Sequence, residues 1–327
     1  MKILITGSGG HLGEALMRML SLGEDEAIGI DLKASAYTTH QGSITDKDFI
    51  ADCMKGVDHV IHTATLHKPH IVTHSAQDFI NTNTSATLNL LQEAQKQGVK
   101  SFIYTSTTST FGDALRPKEG EAAKWIEESV SPIPKNIYGV TKTAAEDLCK
   151  LFHRNYKLPC LILRTSRFFL EADDDKEKRT LYEDANIKAN EYLHRRVDIE
   201  DAARAHLLAI EKAEEIGFAK YIISATSPFS KEDLKDLNTH APEVVSQIYP
   251  EFREIYEKKG WKMFPQIGRV YVNDKARKEL GWEPTYDFQY ILDCLVKGED
   301  FRSKLALEVG IIPYHEEVFE DGPYPVK

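Results

Sequence analysis

The strongest constraint on the fold lies at the N-terminus. Thr6-Gly7-Ser8-Gly9-Gly10-His11-Leu12-Gly13 directly follows the apolar run Lys2–Thr6 and opens the amphipathic stretch Leu12–Leu20. A strand that runs through spaced glycines straight into a helix commits the chain to a βα unit. Gly7 permits the tight turn, Gly10 lets the backbone approach a pyrophosphate, and Gly13 lets the helix lie close on the strand. The helix start at His11 and Leu12 offers free N–H groups and a positive dipole end to phosphates. Asp31 follows eighteen residues after Gly13, at the end of the next β-rich run, Ala27–Asp31. A carboxylate there meets the adenosine ribose hydroxyls and repels a 2′-phosphate. NAD is therefore expected as cofactor ahead of NADP, with nearby Lys33 leaving NADP open.

The alternation continues. Asp58–Thr63, Ser101–Ser106 and Leu158–Arg164 read as strands, and Ala76–Gln97 and Tyr138–Asn155 as amphipathic helices. Strands alternating with helices predict an α/β fold, a Rossmann-type doubly wound parallel sheet. A smaller C-terminal substrate-binding α/β portion is expected beside it. The expected division is residues 1–165 for the NAD-binding domain and 166–327 mainly for substrate binding. The helix Ile199–Ala213 and the strand Lys220–Ser224 are expected to return to the sheet. Ala172–Glu183, dense in charge, reads as a solvated loop or flap. A helix-rich aromatic segment runs from Ser230 to Trp261, and a last helical stretch from Asp287 to Leu307.

Bulk properties bound the partners. A net charge of −10 leaves no basic footprint for nucleic acid, but a local arginine cluster can still hold an anionic small ligand. Cys53, Cys149, Cys160 and Cys294 are scattered without C-x-x-C spacing, which reads as reduced thiols. No run approaches the roughly 18 apolar residues of a membrane span. A soluble, cytoplasmic protein with no membrane partner is expected.

Tyr138-Gly-Val-Thr-Lys142 is the second signal. Positions four apart on a helix lie about 40° from alignment, so both side chains leave one face. A free phenol has a pKa near 10 and is a poor base at neutral pH. A neighbouring ammonium favours the phenolate, so Tyr138 is the candidate base and Lys142 its activator. Upstream, the run Tyr104-Thr-Ser-Thr-Thr-Ser-Thr-Phe-Gly112 offers hydroxyls to the same substrate oxygen.

With these residues in view, the sequence resembles an extended short-chain dehydrogenase/reductase of the NAD-dependent epimerase/dehydratase group. It has that group's G-x-x-G-x-x-G turn, its Y-x-x-x-K pair and a Ser/Thr-rich strand end about thirty residues before the tyrosine. The resemblance extends through Arg195–His206 to Leu280-Gly-Trp-Glu-Pro284. It implies Thr107 as the catalytic hydroxyl beside Tyr138 and Lys142, with Thr108 its close neighbour and Lys142 also holding the nicotinamide ribose. It places Thr63 and Ala64 on the nicotinamide side, Thr105 among the cofactor-binding residues, a structural Asn near the cofactor at Asn83, and Ser43 and Ile44 near the adenine. Ser43 stands where the group often has Asp.

The resemblance further implies a hydroxyl-bearing sugar substrate oxidised to a ketone, often a nucleotide sugar. Two departures favour a smaller one, such as a free sugar acid. Arg167 stands at or beside the position where the group has an Asn that contacts the nucleotide diphosphate, and only about thirty residues separate it from Asp198. Arg167, Arg195, Arg196 and Arg269 are candidates for holding an anion. His62, His67, His70 and His74 do not read as a metal site, because only His70 and His74 have helical spacing and Pro69 interrupts them. They read as a loop over the nicotinamide. Asp173–Asp175 reads as a solvated acidic loop. Thr107–Ser109 carries no acid, so a dehydratase ranks below an epimerase or a dehydrogenase. A non-catalytic NAD-binding sensor or scaffold is the reading from another class. The helices Ala76–Gln97 and Tyr138–Asn155 resemble the pair through which the group forms homodimers.

Overall fold

The computed structural model describes residues 1–315 together with 317 and 319. The remaining residues of the expected 166–327 portion lie outside the described residues. In chain order the elements are β1 (Lys2–Thr6), α1 (His11–Leu20), β2 (Glu26–Asp31), β3 (His40–Gln41), α2 (Lys47–Cys53) and β4 (His59–His62). Then come α3 (Ala76–Phe79), α4 (Ala86–Gln97), β5 (Ser101–Thr107), β6 (Lys124–Ile126), α5 (Ile137–Tyr156), β7 (Cys160–Thr165) and α6 (Lys176–Leu181). The rest are α7 (Asp184–Tyr192), α8 (Ile199–Ile216), β8 (Phe218–Ile223), α9 (Leu234–Ile248), α10 (Phe252–Lys259), β9 (Arg269–Tyr271), α11 (Asp274–Leu280), α12 (Phe288–Lys297) and α13 (Lys304–Val309).

Seven strands form one parallel sheet in the order β3-β2-β1-β4-β5-β7-β8. Ile3, Leu4 and Ile5 on β1 and all six residues of β7 are buried, because helices cover both faces. On one face α1 and α8 pack with Leu16, Ala203 and Ala209; on the other α2, α4 and α5 pack with Ile50, Leu90 and Cys149. The strand order reverses between β1 and β4. That switch point opens a crevice at the carboxyl ends of the strands, where ligands bind in this architecture.

A third apolar cluster joins α7, α9, α10 and α12 through Leu193, Leu237, Val245, Phe252 and Phe288. The short parallel pair of β6 and β9 lies beside it: Val270 belongs to this cluster, while Ile126 and Tyr271 pack with Ile222 of β8. Trp282 is fully buried, and its Nε1 donates to the Asp201 carbonyl at 2.9 Å, tying the Leu280–Pro284 motif to α8.

Two local expectations are corrected. Ala76–Gln97 is not one regular helix. Ile80–Ser85 between α3 and α4 winds as a π-helix, a wider turn often found at functional sites. Ala172–Glu183 is not a solvated loop throughout: Asp173 is buried and Asp175 caps α6 by accepting from Glu177 and Lys178 N–H. Among the described residues no helix is long and apolar enough to cross a membrane.

Candidate functional site

Two adjoining cavities open over the ends of β1, β4, β5 and β7. They share a wall of Thr63, Thr65, His67, Thr105, Phe168 and Tyr314.

The first, about 220 Å³, lies against the glycine turn. Gly7 has φ +75, and a Cβ there would sit 2.8 Å from the Ala64 nitrogen. A Cβ on Gly13 would come within 1.9 Å of the Gly7 carbonyl oxygen. Those two glycines are demanded by the protein's own packing. Gly10 is not: its added Cβ would meet only the Gly7 oxygen, at 3.4 Å. Gly10 borders the cavity, so its missing side chain leaves room for a group held there. This fits a dinucleotide pyrophosphate on the start of α1. Asp31 stands at the rim, its Oδ2 accepting from Gly9 N–H at 3.0 Å and its Oδ1 from Lys33 N–H at 2.9 Å. Leu12, Ile44, Thr63 and Ala64 also line this cavity.

Of the other sequence candidates, Ser43 and Asn83 sit elsewhere and His11 lines the cavity. Ser43 does not line either cavity; its hydroxyl bonds Thr45 at 2.7 Å. Asn83 is buried and engaged within the protein. Its Oδ1 accepts from Leu66 N–H at 2.7 Å, and its Nδ2 donates to the Leu66 carbonyl at 3.0 Å and to Thr141 Oγ1 at 3.1 Å. The π-turn thereby aims Asn83 at the loop after β4 and at α5, so it shapes the cavity wall without lining it. His11 lines the cavity, with Nε2 2.7 Å from Glu171 Oε1 and accepting from Ile312 N–H at 3.0 Å.

The second cavity, about 380 Å³, is bordered by the end of β5 and the start of α5. Thr105, Thr107, Thr108, Tyr138 and Lys142 all line it. Asn136 caps α5 by accepting from Gly139 N–H at 3.1 Å, which fixes where the helix begins and hence where Tyr138 points. Burial pushes the Tyr138 phenol up to about 12, while a hydrogen bond from Thr107 pulls it down. Lys142 Nζ donates to the Thr105 carbonyl at 2.6 Å and lies 4.2 Å from the Tyr104 ring centre. Burial lowers Lys142 to about 7, against the pull of Glu146. The expected effect of Lys142 on the phenol is therefore not what dominates: the ammonium is held by the strand end, and burial governs Tyr138.

Glu146, one turn beyond Lys142, went unnoticed in the sequence. It is fully buried, accepting from Ser106 Oγ at 2.6 Å, Arg164 Nε at 2.9 Å and Lys220 Nζ at 2.7 Å. The recurring Tyr138, Lys142, Glu146 spacing was the available signal.

Of the arginine candidates, Arg167, Arg195 and Arg269 line the second cavity and Arg196 does not. Arg196 is buried against Glu191, at 2.9 Å, and the Phe169 carbonyl, at 3.0 Å. Arg167 pairs with Asp173, Asp174 and Glu191, and Arg195 with Glu191. The acidic run thus neutralises the guanidinium expected to face substrate. Among the described residues no group of three or more His, Cys, Asp or Glu side chains is arranged to hold a metal. His62 bridges Thr6 and Thr87 at 2.7 and 2.9 Å, a structural role, and burial holds His67 neutral beside Tyr138, ring centres 6.0 Å apart. Tyr314, with no local sequence signal, packs on His67 at 5.2 Å and His11 at 5.8 Å between ring centres.

Residues 3–223 match the NAD dependent epimerase/dehydratase family. The chain belongs to this family. GDP-mannose 3,5-epimerase 1 of Oryza sativa subsp. japonica is 28% identical over 50% of this chain and 46% of its own length. The chain spans about half the length of the first curated relatives it matches, 46% to 55%. UDP-glucose 4-epimerase of Streptococcus mutans is 24% identical, with 88% of this chain and 93% of that one covered. A short-chain dehydrogenase/reductase superfamily protein of Agrobacterium tumefaciens, solved with bound NAD, has a TM-score of 0.64 at 20% identity over 91% of this chain and 96% of that one. Family membership agrees with the glycine turn and with the seven-stranded parallel sheet.

Proposed function

We propose that this chain is an NAD-dependent oxidoreductase of the epimerase type, acting at a hydroxyl-bearing carbon of a sugar-derived substrate. One observation carries the reading: Thr107, Tyr138 and Lys142 line one cavity where it adjoins the cavity of the glycine turn. The names of the relatives, nucleotide-sugar epimerases among them, support the substrate class. The Gly7–Gly13 turn, Asp31 and Lys142 would hold the dinucleotide. When bound it supplies a hydride acceptor with a positively charged ring.

Thr107 would bind the substrate hydroxyl and Tyr138 would take its proton. A phenol near 12 is a weak base at neutral pH. Positive charge beside it, from Lys142 and the oxidised cofactor, would favour the phenolate. Asp31 favours NAD through repulsion of a 2′-phosphate. An epimerase returns the hydride to the same substrate and leaves no free NADH, whereas a dehydrogenase accumulates it, so NADH absorbance separates the two. Tyr138→Phe should lower turnover by about 10²–10⁴-fold and leave NAD affinity unchanged in a fluorescence titration. Turnover equal to wild type would refute the mechanism, and NAD binding with no turnover by wild type would favour a non-catalytic NAD-binding role.

A homodimer is part of the reading, supported by exposed apolar residues on the α3–α5 helices: Ile80 at 40%, Val140 at 50% and Leu151 at 36%. A cytoplasmic setting is supported by four buried, unpaired cysteines.

A further inference from the structure

We propose that Arg269 selects the substrate, pairing with the carboxylate or phosphate of a small anionic sugar derivative and not with a nucleoside diphosphate. The proposal rests on the hydride-exchange site assigned above and names what that site accepts.

Four guanidiniums line the 380 Å³ cavity. Arg116 is exposed, and of the three more enclosed ones, Arg167, Arg195 and Arg269, two are neutralised. Arg167 meets three carboxylates, including Glu191 at 3.2 Å, and Arg195 shares Glu191 and lies 3.6 Å from Asp173. Among the described residues no carboxylate lies within ion-pair distance of Arg269. Its guanidinium lies 5.8 Å from the Tyr271 ring centre, within repelling reach of Arg195 and Arg167. Its Nε is enclosed with no partner at all. Burial and the repulsion of Arg195 and Arg167 hold its pKa below the usual arginine value. A partly buried, unpaired cation is costly, and an anion brought by a ligand removes that cost. The planar fork suits carboxylate and phosphate oxygens alike.

Size sets the rest of the class. Sites for drug-sized ligands span roughly 300–1,000 Å³, so 380 Å³ is near the lower limit. Part of that volume adjoins Thr105, Tyr138 and Lys142, where the reacting carbon must sit. The cavity is also pinched. Lys68, after β4, pairs with Asp174, after β7, at 2.8 Å. Tyr314 fills the boundary with the dinucleotide cavity. A monosaccharide carrying one acidic group fits this space. A nucleoside diphosphate sugar adds a base, a ribose and two phosphates to that demand.

The test is isothermal titration of the NAD-loaded protein with glucuronate, glucose 6-phosphate, glucose and UDP-glucose. It is run on wild type, Arg269→Gln and Arg269→Lys. Glucuronate or glucose 6-phosphate should bind wild type, and which of them does distinguishes carboxylate from phosphate. Arg269→Gln should weaken that binding about 10- to 100-fold, the worth of a charged hydrogen-bonding partner. Arg269→Lys should restore part of it, and NAD affinity should match wild type in both variants. The proposal is overturned if UDP-glucose alone binds, if glucose binds as well as the anions, if no small anion binds, or if Arg269→Gln binds them like wild type. Failure of wild type to bind NAD would instead overturn the reading underneath, and the proposal with it.

Discussion

Lys142 shows how much a single buried charge determines. Its ammonium is enclosed between the Thr105 carbonyl, at 2.6 Å, and the Tyr104 ring, and burial brings its pKa to about 7. In an unfolded chain a lysine titrates near 10.4. Between those two values the unfolded chain holds more protons, so this residue makes stability rise with pH. Below about pH 7 both states are protonated, and the cost of enclosing the charge is fully present. Lys142→Met should therefore gain most on wild type at pH 6. The gain should shrink as pH climbs from 7 toward 10. Urea denaturation of both proteins at pH 6 and pH 9 measures it, and a difference that does not change with pH would contradict this account. Tyr138 is governed by the same burial, which raises a phenol where it lowers an ammonium.

At the scale of elements, α5 is the organiser of the site. Tyr138, Lys142 and Glu146 follow one another at four-residue steps, so one stripe of the helix faces the sheet. Glu146 is the anchor of that stripe, bonded to Ser106 on β5, Arg164 on β7 and Lys220 on β8. These bonds hold α5 against three strands and bring Tyr138 to Thr107 at the end of β5. Removing the carboxylate leaves Arg164, only 1% exposed, without its charged partner. Breaking one side of a buried pair in this way costs about 3–5 kcal/mol. Glu146→Ala should lose stability on that order in chemical denaturation. A loss under 1 kcal/mol would mean that the network contributes little. The π-turn has a parallel role: Asn83 joins the loop after β4 to α5 through Leu66 and Thr141.

For the whole molecule, the helices that hold the site also present an apolar outer face. Val140 lies between Tyr138 and Lys142 in sequence, yet it points outward and is half exposed. With Ile80 and Leu151 it supplies apolar surface that a second copy would cover. Sedimentation velocity should show wild type as a dimer and Val140→Glu shifted toward monomer, because a carboxylate enclosed in that face has no partner. A wild-type monomer at micromolar concentration would remove the dimer from the reading. The described chain also folds back on its start. Ile312 N–H donates to His11 at 3.0 Å, and Tyr314 packs against His11 and His67, so the far end of the described chain closes over the glycine turn.

Local features were legible without coordinates. The strand, glycine turn and helix at the N-terminus, and the Tyr138–Lys142 pair, rest on spacings of a few residues. Spacing of that kind dictates which turn forms and which face a helix shows, and family membership agrees with both. Ser43 and Asn83 line neither cavity, because a loop path and a π-turn move a side chain without altering any period. Arg167 was a candidate for the anion from its place at the group's Asn position, while its partners Asp173 and Asp174 read as solvated. Only the folding back of that segment places both carboxylates on the guanidinium and leaves Arg269, a hundred residues later, as the enclosed guanidinium of the cavity without a carboxylate. Charge balance inside a cavity depends on which distant segments meet there. The sequence by itself determined that a dinucleotide-type βα turn and a Tyr/Lys helix exist. The tertiary structure decided which charges remain for a ligand, because pairing in a closed space is settled by contact and not by order along the chain.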